Sequence, residues 1–211
     1  MLERSSTPRI SRTMASRSGS RTGVAAILAG MLIFAGQAGE LAFGPASDAR
    51  TAVEVALSGL GIAALTAAIW RLGRLVSTSI GRIGWRVSVA GVAFLGLFAV
   101  QTVVTVALTG DIPENFVLFA LGFALLFLGH FAIAPGLRDT LGRAWMLPLV
   151  GAAGILVAIT LDVDPVHDIG LFVFEGAWVA LGVALLRQRA DVGPDATPLV
   201  SKLDRFSAHR A

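Results

Sequence analysis

A chain of 211 residues that is 55% hydrophobic and only 15% charged, with mean hydropathy +0.77, carries too few charges to cover a globular surface, since soluble domains hold about 25%. That composition excludes a disordered chain and an ordinary cytosolic enzyme, and the absence of cysteine excludes a disulfide-stapled secreted domain. The net charge of +3 and the isoelectric point near 10.9 come from 16 arginines and one lysine, a bias that, with the alanine and glycine content, suggests a GC-rich bacterial genome.

The first 21 residues are rich in Ser, Thr and Arg, lack apolar periodicity and read as a mobile basic tail. Six stretches then follow that are long enough to cross about 30 Å of hydrocarbon, which takes about 20 residues of helix. They run roughly Thr22–Phe43, Thr51–Trp70, Val87–Leu108, Phe116–Ala134, Ala144–Leu161 and Ile169–Leu186. None alternates with the period of two that a membrane β-barrel strand needs. The first stretch also has the outline of a signal peptide, with an apolar core from Gly23 to Gly36 and small residues around Ala38. Against cleavage, Gln37 suits such a site poorly and the apolar run continues to Phe43.

In the connection Arg71–Arg86, Leu72, Leu75, Val76, Ile80 and Ile83 fall at helical spacing beside Arg71, Arg74 and Arg82. Two readings stay open there: an amphipathic segment lying in the interface, or an overlong second span followed by a loop. Pro148 falls in the first turn of the fifth helix, where its missing N–H costs little. The residues beyond the sixth stretch, with Gly193, Pro194 and Pro198, read as a second mobile tail. The expected organisation is a tail over residues 1–21, a six-helix transmembrane domain over 22–187 and a tail over 188–211.

The basic residues give the orientation. Sixteen of the 17 fall in the N-terminal tail, the second and fourth connections and the C-terminal tail; only Arg50 falls in the first, third or fifth connection. The positive-inside rule then places both termini in the cytoplasm of a bacterial inner membrane, which requires an even number of spans. Asp48, Asp111, Glu114, Asp162, Asp164 and Asp168 occupy the opposite side, and Trp70, Trp85 and Trp145 fall at inner helix ends, where amphipathic rings favour the headgroup level. The fold class expected is therefore all-α, a polytopic transmembrane helix bundle with six spans. Its first partner is the lipid bilayer, with anionic lipid attracted to the basic cytoplasmic face at about 1 kcal/mol per charge. No nucleic-acid recognition fold accompanies the charges.

Small residues recur every four positions as Gly59, Ala63 and Ala67, as Gly176, Ala180 and Ala184, and as Gly154 with Ala158. Because lipid is as apolar as leucine, helices associate through close backbone approach at such residues. The stripes predict a compact bundle, or a face for a second copy or a membrane partner. Helices two and six also align at their glutamates, with Glu54, Ala56, Leu60, Gly61, Ala63 and Leu65 matching Glu175, Ala177, Leu181, Gly182, Ala184 and Leu186. The fourth helix shares Ala124, Leu128 and Gly129 but has Gly122 in place of the acid; two readings stay open, a trace of triplicated hairpins or the matches that an alphabet of Ala, Leu, Gly and Val produces by chance.

Ionisable groups inside spans are functional candidates by default. Here they are Glu40, Glu54, Glu175 and His130, with Gln37 and Gln101 adding neutral polarity. At 1.5 Å per residue, Glu40 and Glu54 lie within about 6 Å of the outer boundary, and Gln37, Glu175 and Gln101 about 9–12 Å down. The functional reading is an outward-facing pocket of Glu175, Glu54, Glu40, Gln37 and Gln101 that binds a proton or cation, with Glu175 the deepest. The structural reading has Glu40 and Glu54 snorkelling to the interface and a protonated Glu175 bonded to Gln37 or Gln101. His130 reads as a hydrogen-bonded packing residue, with a relay role as its alternative.

The loop from Asp162 to Asp168 gathers three carboxylates and His167, but Pro165 favours an extended strand and a metal site needs ligands converging from several directions. No cofactor and no metal are expected. The chain has no HExxH, GxSxG or P-loop sequence. Gly59-Leu-Gly61-Ile-Ala-Ala64 imitates a dinucleotide fingerprint but sits mid-span with no preceding strand, and reads as packing.

Phe119–Gly129, followed by Pro135-Gly-Leu-Arg138 and Trp145-Met-Leu-Pro148, and the run His167–Glu175 together resemble uncharacterised bacterial integral-membrane families of about six helices, domains of unknown function. The resemblance covers Gly23 to Leu186 and implies no reaction and no site residues. Three expectations follow. The leading one is a non-enzymatic structural or accessory membrane protein. The alternatives are a small proton- or cation-coupled transporter using the acidic pocket, and an intramembrane lipid enzyme using the Asp/His loop.

Overall fold

The computed structural model describes residues 10–43, 48–109, 117–161 and 166–191, with side chains for 19–38, 53–109, 117–161 and 168–188. The described residues are almost wholly helical and contain no strand. The helices are α1 (Ile10–Phe43), α2 (Asp48–Leu72), α3 (Ser79–Thr109), α4 (Val117–Ile133), the single turn α5 (Arg138–Leu141), α6 (Leu147–Thr160) and α7 (Val166–Asp191). Tight 3-10 turns at Gly73–Leu75, Ala134–Leu137 and Gly142–Met146 join them.

Five segments are long and apolar enough to cross a membrane: Gly19–Ala38, Val53–Leu75, Ser79–Thr109, Val117–Thr160 and Asp168–Gln188. The fourth runs for 44 residues, about 66 Å as one straight helix and twice what a bilayer requires. It is folded in two. Along α4, Phe123 meets Phe174 and His130 meets Trp178, so α4 runs with α7. Along α6 the order is reversed, since Gly151 faces Ala177 and Ala158 faces Gly170, so α6 runs against α7. Pro135 and Gly142, the latter at φ 53°, sit in the bend that turns the chain back. α6 alone has only 14 residues, which is why it falls short of a span by length.

The six long helices close a ring in the order α1, α2, α3, α4, α6, α7, each packed on its two neighbours. The connection Arg71–Arg86 holds no separate interfacial helix. α2 continues to Leu72, a 3-10 turn follows, and α3 starts at Ser79, eight residues ahead of the expected Val87. Leu72 is buried in the core while Ile80 and Ile83 point outward, so the apolar face expected there is divided between two directions. α1 likewise begins at Ile10, inside the stretch expected to be a mobile tail.

The end of the ring that carries the arginines is tied together by hydrogen bonds. Ser77 N–H donates to the Gly136 carbonyl at 3.0 Å, the Thr140 hydroxyl to Leu75 at 3.0 Å, the Gln188 amide to Thr140 at 3.2 Å and the Arg71 guanidinium to Arg21 at 3.2 Å. Trp85 donates its indole N–H to the Ile69 carbonyl at 2.9 Å and stacks, tilted, on the exposed Trp70. Above this end the interior is filled by Leu65, Ile69, Leu126, Ile133, Trp178 and Leu181.

Close approach uses different glycines from those that the small-residue stripes single out. A Cβ on Gly182 would lie 2.5 Å from the Gly23 carbonyl, and one on Gly61 would lie 3.0 Å from Ile33 N. Gly59 and Gly176, by contrast, meet nothing within 4 Å, and Ala63 and Ala180 are exposed. Of the three stripes only Gly154 with Ala158 works inside the bundle, where a Cβ on Gly154 would lie 2.5 Å from the Gly170 carbonyl. Helices that are apolar on every side give no moment to orient them, so two stripes a couple of residues apart look alike until neighbours are placed.

Candidate functional site

Away from the arginine-bearing end, the ring encloses a cavity of about 260 Å³ bounded by α1, α2, α3, α4 and α7. Two glycines of α1 bring its polar groups together. A Cβ on Gly30 would lie 2.6 Å from the Glu175 carbonyl, so α7 comes in against α1 at the residue that carries the deepest carboxyl. One turn and a half further on, a Cβ on Gly36 would lie 2.8 Å from Ser58 Oγ and 3.4 Å from the Glu54 carbonyl, which draws α2 in beside Gln37. Gln37, Glu54, Ser58, Thr102 and Glu175 all line the cavity.

The remaining wall is apolar and includes four phenylalanines. Phe98 and Phe119 stand 5.3 Å apart between ring centroids, Phe119 and Phe123 4.6 Å, and Phe123 and Phe174 6.2 Å, the last two pairs edge to face. The ladder continues through Phe174 to His130 and Trp178. Glu175 is 1% exposed. Among the described residues, neither of its carboxylate oxygens has a hydrogen-bond partner, and neither has Gln37 Oε1. The Thr102 hydroxyl donates to the Phe98 carbonyl at 2.9 Å, which leaves its oxygen free to accept.

Three of the five expected pocket residues thus meet at one cavity: Glu175, Glu54 and Gln37. Gln101 does not line it; one residue further along α3, Thr102 does, because a step of 100° around a helix is enough to leave the cavity wall. Glu40 lies on α1, and its side chain lies outside the described residues. The anticipated bonds from Glu175 to Gln37 or Gln101 are absent among the described residues. Ser58, Thr102 and the phenylalanines were not expected. Ser58, four residues after Glu54 and so on the same face, was the one that carried a signal.

His130 is packed away from the cavity and is half satisfied: it is buried among Phe174 and Trp178, its Nδ1–H donates to the Leu126 carbonyl at 2.7 Å, and its Nε2 has no partner among the described residues. The Asp162–Asp168 loop, on which the metal and lipid-enzyme expectations rest, lies outside the described residues except for Asp168 and the backbone of Val166 and His167. No group of three metal-ligating side chains occurs among the described residues. No protein-family model, curated protein or solved structure matches this chain.

Proposed function

We propose that the chain crosses a bacterial cytoplasmic membrane six times, with both termini in the cytoplasm, and acts as a small proton- or cation-coupled transporter through its axial cavity. The arginine pattern supports the sidedness, and the reversal between α4 and α6 supports the sixth crossing. A 14-residue α6 is accommodated by its apolar flanks and local bilayer thinning. In this orientation the cavity belongs to the outer half, while Arg74, Arg82, Arg86, Arg138, Arg143 and Arg187, all exposed, meet anionic headgroups on the inner side.

One observation carries the transport reading: the carboxyl of Glu175 and Gln37 Oε1 face a cavity with no donor among the described residues. A buried acceptor left unmet costs about 1–3 kcal/mol, and more when charged. Ser88 Oγ and His130 Nε2 carry a similar cost inside the packed core, but only Glu175 and Gln37 do so where a cavity leaves room for a ligand to meet them. The test is pH-dependent flux in proteoliposomes. Glu175→Gln is expected to lower coupled flux at least about tenfold, and equal flux in mutant and wild type removes Glu175 from coupling.

The non-enzymatic accessory role is the second reading, and a separate observation favours it. Gly176 and Ala180 face outward from α7, leaving a small-residue surface against which a second copy or a membrane partner would pack.

A further inference from the structure

We propose that the cavity takes a small primary amine with an apolar body, held in its protonated form by Glu175 and Gln37. This names the ligand class of the site and rests on reading that site as a cation pocket. The unmet groups at the cavity are acceptors: two carboxylate oxygens of Glu175 and the amide oxygen of Gln37. An ammonium head supplies three N–H donors and a charge, which matches that set in number and sign. A hard metal ion would need six or more oxygen ligands, and most of this wall is hydrocarbon. The rings of Phe98, Phe119, Phe123 and Phe174 suit both halves of such a molecule, since aromatic faces attract a cation and also bury an apolar body. A volume of about 260 Å³ lies just under the roughly 300–1,000 Å³ of sites for drug-sized ligands, so the body is small.

The same ligand has a way in from the lipid. An apolar groove of about 340 Å³ runs between α2 and α3 on the outside of the ring, and Gly59, Ile62 and Ala99 line both the groove and the cavity. There is open space beside Gly59 and Gly96, where a Cβ would meet nothing within 4 Å. An amphiphilic amine dissolved in the leaflet would cross that seam without passing through water.

The experiment is equilibrium binding of radiolabelled phenethylamine to the full chain in zwitterionic lipid nanodiscs, with empty nanodiscs subtracted. Saturable binding is expected, displaced by n-hexylamine and not by equal concentrations of sodium or of tetramethylammonium, which has a charge but no N–H. Glu175→Gln is expected to weaken binding at least about tenfold. Gln37→Leu, at a less buried position, is expected to weaken it severalfold and serves as the test if the first variant fails to fold. Absence of saturable binding, or equal displacement by tetramethylammonium, overturns the proposal. If Glu175-dependent proton or sodium flux persists while no amine binds, the ligand class falls and the cation-site reading stands; if flux and amine binding are both unchanged in Glu175→Gln, both fall.

Discussion

The two halves of this bundle are built from the same apolar alphabet and place their polar groups differently. In the arginine-bearing half, Trp85, Ser77, Thr140, Gln188 and His130 each donate to a backbone carbonyl, and aliphatic side chains fill the space between helices. In the other half, Glu175 and Gln37 present oxygens to a cavity that no described residue satisfies. Polarity in the first half mostly joins helix ends and turns, although Ser88 Oγ and His130 Nε2 are buried there without a partner among the described residues. In the second half the unmet groups border a cavity of about 260 Å³.

Three comparisons, using four substitutions, sharpen that contrast. The largest effect belongs to helix approach. Gly182→Leu forces a side chain into the Gly23 backbone and is expected to lower stability by about 3 kcal/mol in a denaturation titration, whereas Gly176→Leu, six residues earlier on an open face, should stay within about 0.5 kcal/mol. Next comes the cavity. Glu175→Leu removes an unmet buried carboxyl and is expected to raise stability by about 2 kcal/mol while abolishing coupled flux. A loss of stability instead would mean that the carboxyl has a structural partner. The smallest is Trp85→Phe, which deletes one satisfied donor and should cost about 1 kcal/mol.

How much of this was legible in the sequence follows the same division. Some helix positions were, because a long apolar run is a one-dimensional signal: α4 and α6 begin and end within three residues of the limits expected for the fourth and fifth stretches. The common level of Gln37, Glu54 and Glu175 is also readable from their distance along the helices, and the three line one cavity. Rotation was not legible. Gln101 and Thr102 differ by roughly a third of a turn, and nothing in the apolar residues around them says which one faces inward. Phe98, Phe119, Phe123 and Phe174 were invisible for the same reason, since a phenylalanine in a membrane helix serves lipid and cavity equally well. The length of α3 was also missed, because Ser79, Arg82 and Arg86 read as loop by composition although they continue one helix.

The absence of cysteine in the chain makes the central claim directly measurable. Gln37→Cys places a single thiol on the cavity wall, and a positively charged, membrane-impermeant thiosulfonate can be offered to one face of oriented vesicles at a time. Labelling from the face opposite the termini, slowed by phenethylamine and absent from the cytoplasmic face, is the predicted result. Labelling from the cytoplasmic face alone, or from neither face, would contradict an outward-facing cation cavity.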